Sequence, residues 1–328
     1  MAHPLRWGIL APGGIARQFA DGLQALPHAQ LVAVGSRDLG RAEKFAAKFA
    51  VPRAYGSYAQ LAADPKVDAV YIASPHPLHM EHALLCVEAG KAVLCEKPFT
   101  LNFKQARQLV KATRKKKVFL MEAMWTRFLP LMAQVRQWVD DGAVGDVHLV
   151  SADFGFRAGF NPEGRLFNPL LGGGALLDVG VYTVSFAAMI LGPDPVYTNG
   201  IAHLGTSGVD EQASVLLGYA GGAMANLSTS IRTNTPGEAR IVGTEGNIAI
   251  NAPFWKSTAA TLKNGDGEQH VEHPLEGNGY NYQAAEVARC LAQGELESPL
   301  MPLDESLEIM KILDTLRAQW GLKYPMED

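Results

Sequence analysis

The sequence predicts an α/β protein: a doubly wound parallel sheet first, then an α+β domain built on a large, mostly antiparallel open sheet. Three observations carry this. Short apolar strands alternate with helical patterns from residue 5 to residue 121, as in a parallel sheet with helices on both faces. From 196 to 262 the pattern turns to strands separated by turn pairs such as Gly221-Gly222. At 328 residues the chain has room for two domains. The change is expected near 122–128, giving domains over 1–124 and 125–328. A helix over 304–320 is expected to pack back on the first domain.

Apolar residues make up 48% of the chain, enough for substantial cores. The net charge of −4 argues against nucleic acid as a partner. The one basic run, Arg114-Lys115-Lys116-Lys117, ends a helical pattern, where cations suit the helix dipole. Cys86, Cys95 and Cys290 show no paired spacing and fit buried thiols in a reducing compartment. The most apolar helical stretch, 175–191, carries Asp178 and Gly180 and reads as too short and interrupted to span a bilayer. Residues 6–10 already read as a strand, so no signal peptide is expected. The expectation is a cytoplasmic protein with neither membrane nor nucleic-acid partners.

The first strand, Leu5-Arg6-Trp7-Gly8-Ile9-Leu10, runs into Ala11-Pro12-Gly13-Gly14-Ile15-Ala16 and a helix to about residue 26. Strand, glycine turn and helix are the setting of a dinucleotide-binding turn. Gly13 lets the backbone approach a pyrophosphate, and Ala16 allows close packing of helix on strand. The helix N-terminus offers N–H donors and a partial positive charge. Ala11 stands where the first glycine of such a turn is usual. The local pattern therefore serves a cofactor turn and a ligand-free turn about equally. The second strand, 31–35, ends in Ser36-Arg37-Asp38, where a dinucleotide fold meets the adenine ribose. Neutral Ser36, Arg37 and, one turn on, Arg41 suit a 2′-phosphate. Asp38 is expected to cap the helix over Leu39–Phe49.

A helix near Tyr58–Ala63 precedes a buried strand over 69–73. The loop after it, Ser74-Pro75-His76-Pro77-Leu78-His79-Met80-Glu81-His82, holds three histidines. His79 and His82 would share a helix face, but zinc-site spacing is missing and no metal is expected. Contacts to cofactor or substrate are the better reading of this loop. A helix over 80–89 stops at Gly90. Then comes Ala92-Val93-Leu94-Cys95-Glu96-Lys97-Pro98. Its apolar half can be buried, while Glu96 and Lys97 emerge at the carboxyl end, where open parallel sheets bind ligands. Pro98 fixes the exit loop. Taken alone, Lys97 reads as a loop lysine paired with its neighbour. A helix over 102–114 and a strand over 118–121 follow.

The glycine turn, Ser74 to His79, Cys95-Glu96-Lys97-Pro98, Gly172-Gly173-Gly174-Ala175-Leu176-Leu177-Asp178-Val179-Gly180 and Tyr182 occur in that order. Together they resemble the glucose–fructose oxidoreductase/inositol dehydrogenase (Gfo/Idh/MocA) family, over nearly the whole chain. Residues 92–98, 119–128 and 173–182 are most similar to a branch that has tyrosine where many members have histidine and that oxidises dihydrodiols and D-xylose. The resemblance implies a Rossmann domain that binds NADP, with NAD possible. Gly8, Ala11, Gly13, Gly14 and Ile15 would serve at the turn, and Ser36, Arg37 and Arg41 at the ribose. Ser74, His76, His79, Glu96 and Lys97 would complete the cofactor contacts. The implied reaction is hydride transfer between NADP and a cyclic polyol, sugar or trans-dihydrodiol. Inositol or anhydro-sugar chemistry, or a non-catalytic cofactor-sensing role, are its alternatives.

In the second half, helix over 134–141 precedes strand over 147–156. Trp125 and Phe154 read as core aromatics, and the resemblance makes them walls of a substrate pocket. Arg127 and Arg157 have the pattern of surface arginines; Arg127 lies in a matching stretch and is the one expected at the substrate. Gly172-Gly173-Gly174 precedes a helix over 175–191, on which Asp178 and Tyr182, four apart, share a face. By pattern this is a helix-start aspartate beside a half-buried tyrosine. The resemblance makes Tyr182 the proton-transfer residue, with Asp178 positioning it and Lys97 lowering its pKa. Strands are expected over 214–219, 223–231, 239–243 and 247–250; segments such as 214–217 and 225–230 carry few charges, which predicts a homodimer formed sheet to sheet, as the resemblance also implies. Trp255, Tyr280 and Tyr282 could reach the pocket from its far side, with packing the default reading. Helices over 282–293 and 304–320 close the chain.

Overall fold

The computed structural model describes residues 3–327. In chain order the elements are β1 (Leu5–Leu10), α1 (Gly14–Leu23), β2 (Ala29–Gly35), α2 (Leu39–Phe49), β3 (Arg53–Tyr55), α3 (Tyr58–Ala63), β4 (Ala69–Ile72), α4 (His79–Glu88), β5 (Ala92–Glu96), α5 (Phe103–Lys116) and β6 (Leu120–Ala123). They continue with α6 (Pro130–Asp140), β7 (Val147–Gly155), α7 (Val181–Leu191), β8 (Tyr197–Leu204), β9 (Asp210–Gly218), β10 (Met224–Ser230), β11 (Ala239–Gly243), β12 (Gly246–Ile250), β13 (Ala259–Asn264), β14 (Gly267–Glu272), α8 (Tyr280–Gln293) and α9 (Leu303–Gln319). The chain divides into two compact units: Met1–Trp125 with Glu276–Leu307, and Thr126–Leu275 with Glu308–Asp328.

The first unit is a six-stranded parallel sheet in the order β3-β2-β1-β4-β5-β6. Every residue of β4 and β5 is buried, because helices cover both faces of such a sheet. The order reverses between β1 and β4, which opens a crevice beyond their carboxyl ends. Adjacent residues write the helix starts. Asp38, Ser57 and Asn102 cap α2, α3 and α5 by accepting the N–H groups of Arg41, Gln60 and Gln105. The basic run closes α5, where Lys116 pairs with Glu88 and Arg114 with Asp304.

The returning segment is longer than expected. Residues 276–307 join the first unit, taking in only the start of the helix expected over 304–320, where Asp304 pairs with Arg114 and Ser306 donates to Glu122. There α8 packs on α1, Asn278 donates to the Gln18 carbonyl, and the Leu296 carbonyl accepts from Leu120 N–H. A solitary sheet edge at β6 is thereby covered, which an isolated first domain would leave open.

The second unit is an eight-stranded sheet in the order β14-β13-β12-β11-β7-β10-β9-β8. All neighbours are antiparallel except β10 and β7. The helical run from Leu176 to Leu191 packs on β7 and β10; its first turn, Leu176–Gly180, is π-helical. The stretch Pro169–Leu191 is long and apolar enough to cross a membrane, but 83% of its apolar window is buried inside the protein. The other face of the sheet is open. On it Leu149, Met224 and Val242 are cross-strand neighbours, exposed by 38%, 57% and 37%.

Candidate active site

At the carboxyl edge of the parallel sheet, Ala11 occupies the left-handed region, φ +70°. This explains why glycine is usual there: a side chain costs about 1–2 kcal/mol in this conformation. Ala11 N–H donates to Gly35, and its own carbonyl accepts from Gly13 N–H at 2.8 Å. A Cβ at Gly13 would meet no protein atom closer than 4.0 Å, and one at Gly14 none within 4 Å. No side chain caps α1. The chain itself therefore does not require these glycines small, and the N–H donors of α1 face room that a pyrophosphate would fit. Ser36 is buried and its Oγ accepts from Asp38 N–H. Arg37 and Arg41 are exposed and, among the described residues, neither guanidinium pairs with a carboxylate. Ser74 Oγ is buried without a hydrogen-bond partner, a second polar group suited to a ligand at this edge.

Glu96 and Lys97 leave β5 beside this edge. Tyr71 O–H donates to Glu96 Oε1, and Lys97 N–H to Glu96 Oε2 at 3.3 Å. Lys97 is half-buried. His79 is fully buried, one ring nitrogen 2.8 Å from the Pro98 carbonyl and the other 2.8 Å from the Ser74 carbonyl. It ties the loop after β4 to the Lys97 loop. Burial lowers its pKa to about 4, against the two carbonyls, which favour the charged ring. His76 lies edge-on to His79 at 5.7 Å, while His82 packs on Tyr58. Among the described residues no cluster of three metal-ligating side chains forms. A groove of about 1040 Å³, bordered by Arg6, Asp68, Lys91 and Glu295, opens at the opposite, amino ends of the strands, away from all these residues. Trp125 stacks on Tyr280 at 4.6 Å.

In the second unit, Tyr182 is 7% exposed and its ring is 5.3 Å from that of Phe154, which stacks face to face on Trp255. Asp178 sits in the π-helical turn and takes both Nη groups of Arg165, at 2.7 and 3.3 Å. π-turns within α-helices recur at functional sites. Arg127, expected at the substrate, is 4% exposed and donates to Ser185 Oγ and to the Ser185 carbonyl, so it braces α7. Sequence reasoning missed Tyr71 as the partner of Glu96 and Arg165 as the partner of Asp178; neither lies in a local pattern that points to its partner. Trp255 and Tyr280, read by default as packing, stack on the two aromatics expected to wall a pocket.

Residues 5–124 match the model of the oxidoreductase family with an NAD-binding Rossmann fold, and 132–249 match the GFO/IDH/MocA C-terminal domain. The chain belongs to the Gfo/Idh/MocA oxidoreductase family. It is 42% identical to trans-1,2-dihydrobenzene-1,2-diol dehydrogenase of Mus musculus, over 98% of this chain and 99% of that one, and 39% identical to the enzyme so named in Homo sapiens, with the same coverage. Among solved structures it resembles a 3-ketoreductase from Actinomadura kijaniata in complex with NADP and TDP-benzene (27% identity, TM-score 0.84, 96% and 98% of the two chains). It also resembles an aldose-aldose oxidoreductase from Caulobacter crescentus complexed with glycerol (26%, 0.89, 97% and 98%). Family membership makes the chain an oxidoreductase with a nicotinamide-binding Rossmann unit.

Proposed function

We propose that the chain is an NADP-dependent dehydrogenase acting on CH–OH groups of a cyclic polyol, sugar or trans-dihydrodiol. The observation that carries this reading is end-to-end identity of 42% to a dihydrodiol dehydrogenase in a chain with both Lys97 and Tyr182. The same pair argues against a non-catalytic sensor. NADP, when bound, supplies the hydride chemistry. The α1 N–H groups with Gly13 and Gly14 would hold its pyrophosphate, and Ser36, Arg37 and Arg41 its 2′-phosphate. Tyr182 takes the hydroxyl proton as the carbonyl forms and returns it in reverse. A free phenol titrates near ~10; the Lys97 ammonium favours the phenolate and polarises the substrate oxygen. Asp178, held by Arg165, positions the turn that leads into Tyr182. The rings of Phe154 and Trp255 suit the flat face of a cyclic substrate.

The open sheet face bearing Leu149, Met224 and Val242 fits a second copy of the chain, so we assign a homodimer; a monomeric mass by light scattering at micromolar concentration refutes it. Three buried thiols suit the cytoplasm. The deciding experiment screens trans-1,2-dihydrobenzene-1,2-diol, aldoses and inositols for NADP+ reduction. Dihydrodiol or aldose turnover is expected, and Tyr182→Phe should lower kcat roughly 100- to 10,000-fold with NADPH affinity nearly unchanged. Absence of turnover with all three classes restores the sensor reading, and normal turnover by Tyr182→Phe removes the proton-transfer assignment.

A further inference from the structure

Asp210 opens β9 and has no exposed surface. Its Oδ2 accepts the N–H of Leu176 at 2.6 Å. Leu176 begins the helical run that carries Asp178 and Tyr182, and the residue before it supplies no side-chain cap. Asp210, 34 residues away, does that work from a neighbouring strand. Its Oδ1 has no hydrogen-bond partner and lies against Gly174, φ +122°, where a Cβ would overlap it. The rest of the turn is tied down too. Tyr324 O–H donates to the Gly173 carbonyl at 2.7 Å, and Thr229 Oγ1 donates to the Ala175 carbonyl. The Tyr324 ring lies under the Arg317 guanidinium, itself held by Glu327 and Asp314.

We propose that Asp210 is a positioning residue for the reaction: it seats the first turn of this helix and so sets where Asp178 and Tyr182 point. The proposal rests on Tyr182 being the proton-transfer residue. Burial raises the Asp210 carboxyl to about 7, opposed by the Leu176 N–H, its own N–H, Arg317 and the Ala175 N–H. The charged groups behind it are Arg317 from α9, with Asp314 and Glu327 paired to that arginine. Tyr324 stays protonated through burial and through Asp210. The helix presents only N–H groups, and β10 the neutral Thr229. An ionised carboxylate makes the stronger, charge-assisted bond, so the seat loosens as pH falls through about 7.

Steady-state kinetics with trans-1,2-dihydrobenzene-1,2-diol and NADP+, and hydrogen exchange of residues 173–182 in the full chain, test this together. Asp210→Ala should lower kcat at least roughly tenfold and speed exchange in that segment, with the NADPH Kd, read by fluorescence titration, held within about twofold. Asp210→Asn keeps an acceptor for Leu176. It should recover part of kcat and lack the pH-dependent change in protection expected of the wild type between about pH 6 and pH 8. The folded carboxyl titrates at about 7 against 3.8 for the free group, so the folded state holds the proton more tightly. The wild type should therefore lose stability relative to Asp210→Asn as pH rises from about 4 to about 7, and level off above that. Should Asp210→Ala fail to fold, Asp210→Asn and Tyr324→Phe carry the test. Wild-type kcat and wild-type exchange in Asp210→Asn overturn the proposal, as does equal loss of kcat and NADPH affinity. Normal turnover by Tyr182→Phe removes the reading beneath it; a crippled Tyr182→Phe with a silent Asp210 overturns this proposal alone.

Discussion

Two glycine-bearing turns open helices in this chain, Ala11 to Gly14 before α1 and Gly172 to Gly174 before the run from Leu176. At the first, no side chain caps the helix and a Cβ at Gly14 would touch nothing. At the second, a buried carboxylate from β9 takes the helix N–H, and a Cβ at Gly174 would strike it. The first turn leaves its donors for something outside the chain. The second closes them with the chain's own Asp210. Glycine before a helix thus does not by itself mark an anion site; what fills the space beyond the N–H groups decides.

The same substitution at both turns is the hardest test of this contrast. Gly174→Ala combines a forbidden φ with overlap on Asp210 and should destabilise by about 3 kcal/mol or more, read by chemical denaturation. Gly13→Ala should leave stability within about 0.5 kcal/mol yet weaken NADPH roughly tenfold. Equal loss of stability at the two positions would break the comparison. A smaller effect sharpens the first turn's role. Arg37→Ala should weaken NADPH by about one to two powers of ten, since a charged hydrogen bond contributes roughly 1.5–3 kcal/mol, while NADH barely responds. Equal wild-type affinities for the two cofactors would point instead to Asp38 as a ribose ligand. The smallest effect is at Ala11. Its left-handed φ makes Ala11→Gly stabilising by about 0.5–1 kcal/mol after the unfolded-state entropy of glycine is counted. An unchanged denaturation midpoint would show that the turn carries no strain.

The first unit was legible because its signals are local. Asp38 and Ser57 stand immediately before α2 and α3, and both helices span the residues expected. The glycine turn announced itself even with Ala11 in an unusual place. In the second unit the sheet was readable where strands alternate, as in β9 and β11. β8 and β14 escaped because most of their residues are exposed and leave no apolar period. Residue identity marked Asp178 and Tyr182, but not their surroundings. Arg165 reaches Asp178 from an irregular loop, and Asp210 reaches Leu176 across the sheet. The partner of Arg127 was hidden for the same reason: Ser185 is 58 residues away, beyond any pattern in sequence.

The interleaving of the two units bears on how the protein is made. The first unit lacks 276–307 until most of the second has been synthesised, and the second lacks 308–328 until after that. Tyr324 follows Gly173 by 151 residues, roughly 8–30 s at ribosomal rates of about 5–20 residues per second. During that interval the apolar run 169–191 has emerged without the segment that ties down its first turn. A nascent chain should therefore bind chaperones through that run until the segment that carries Tyr324 has emerged.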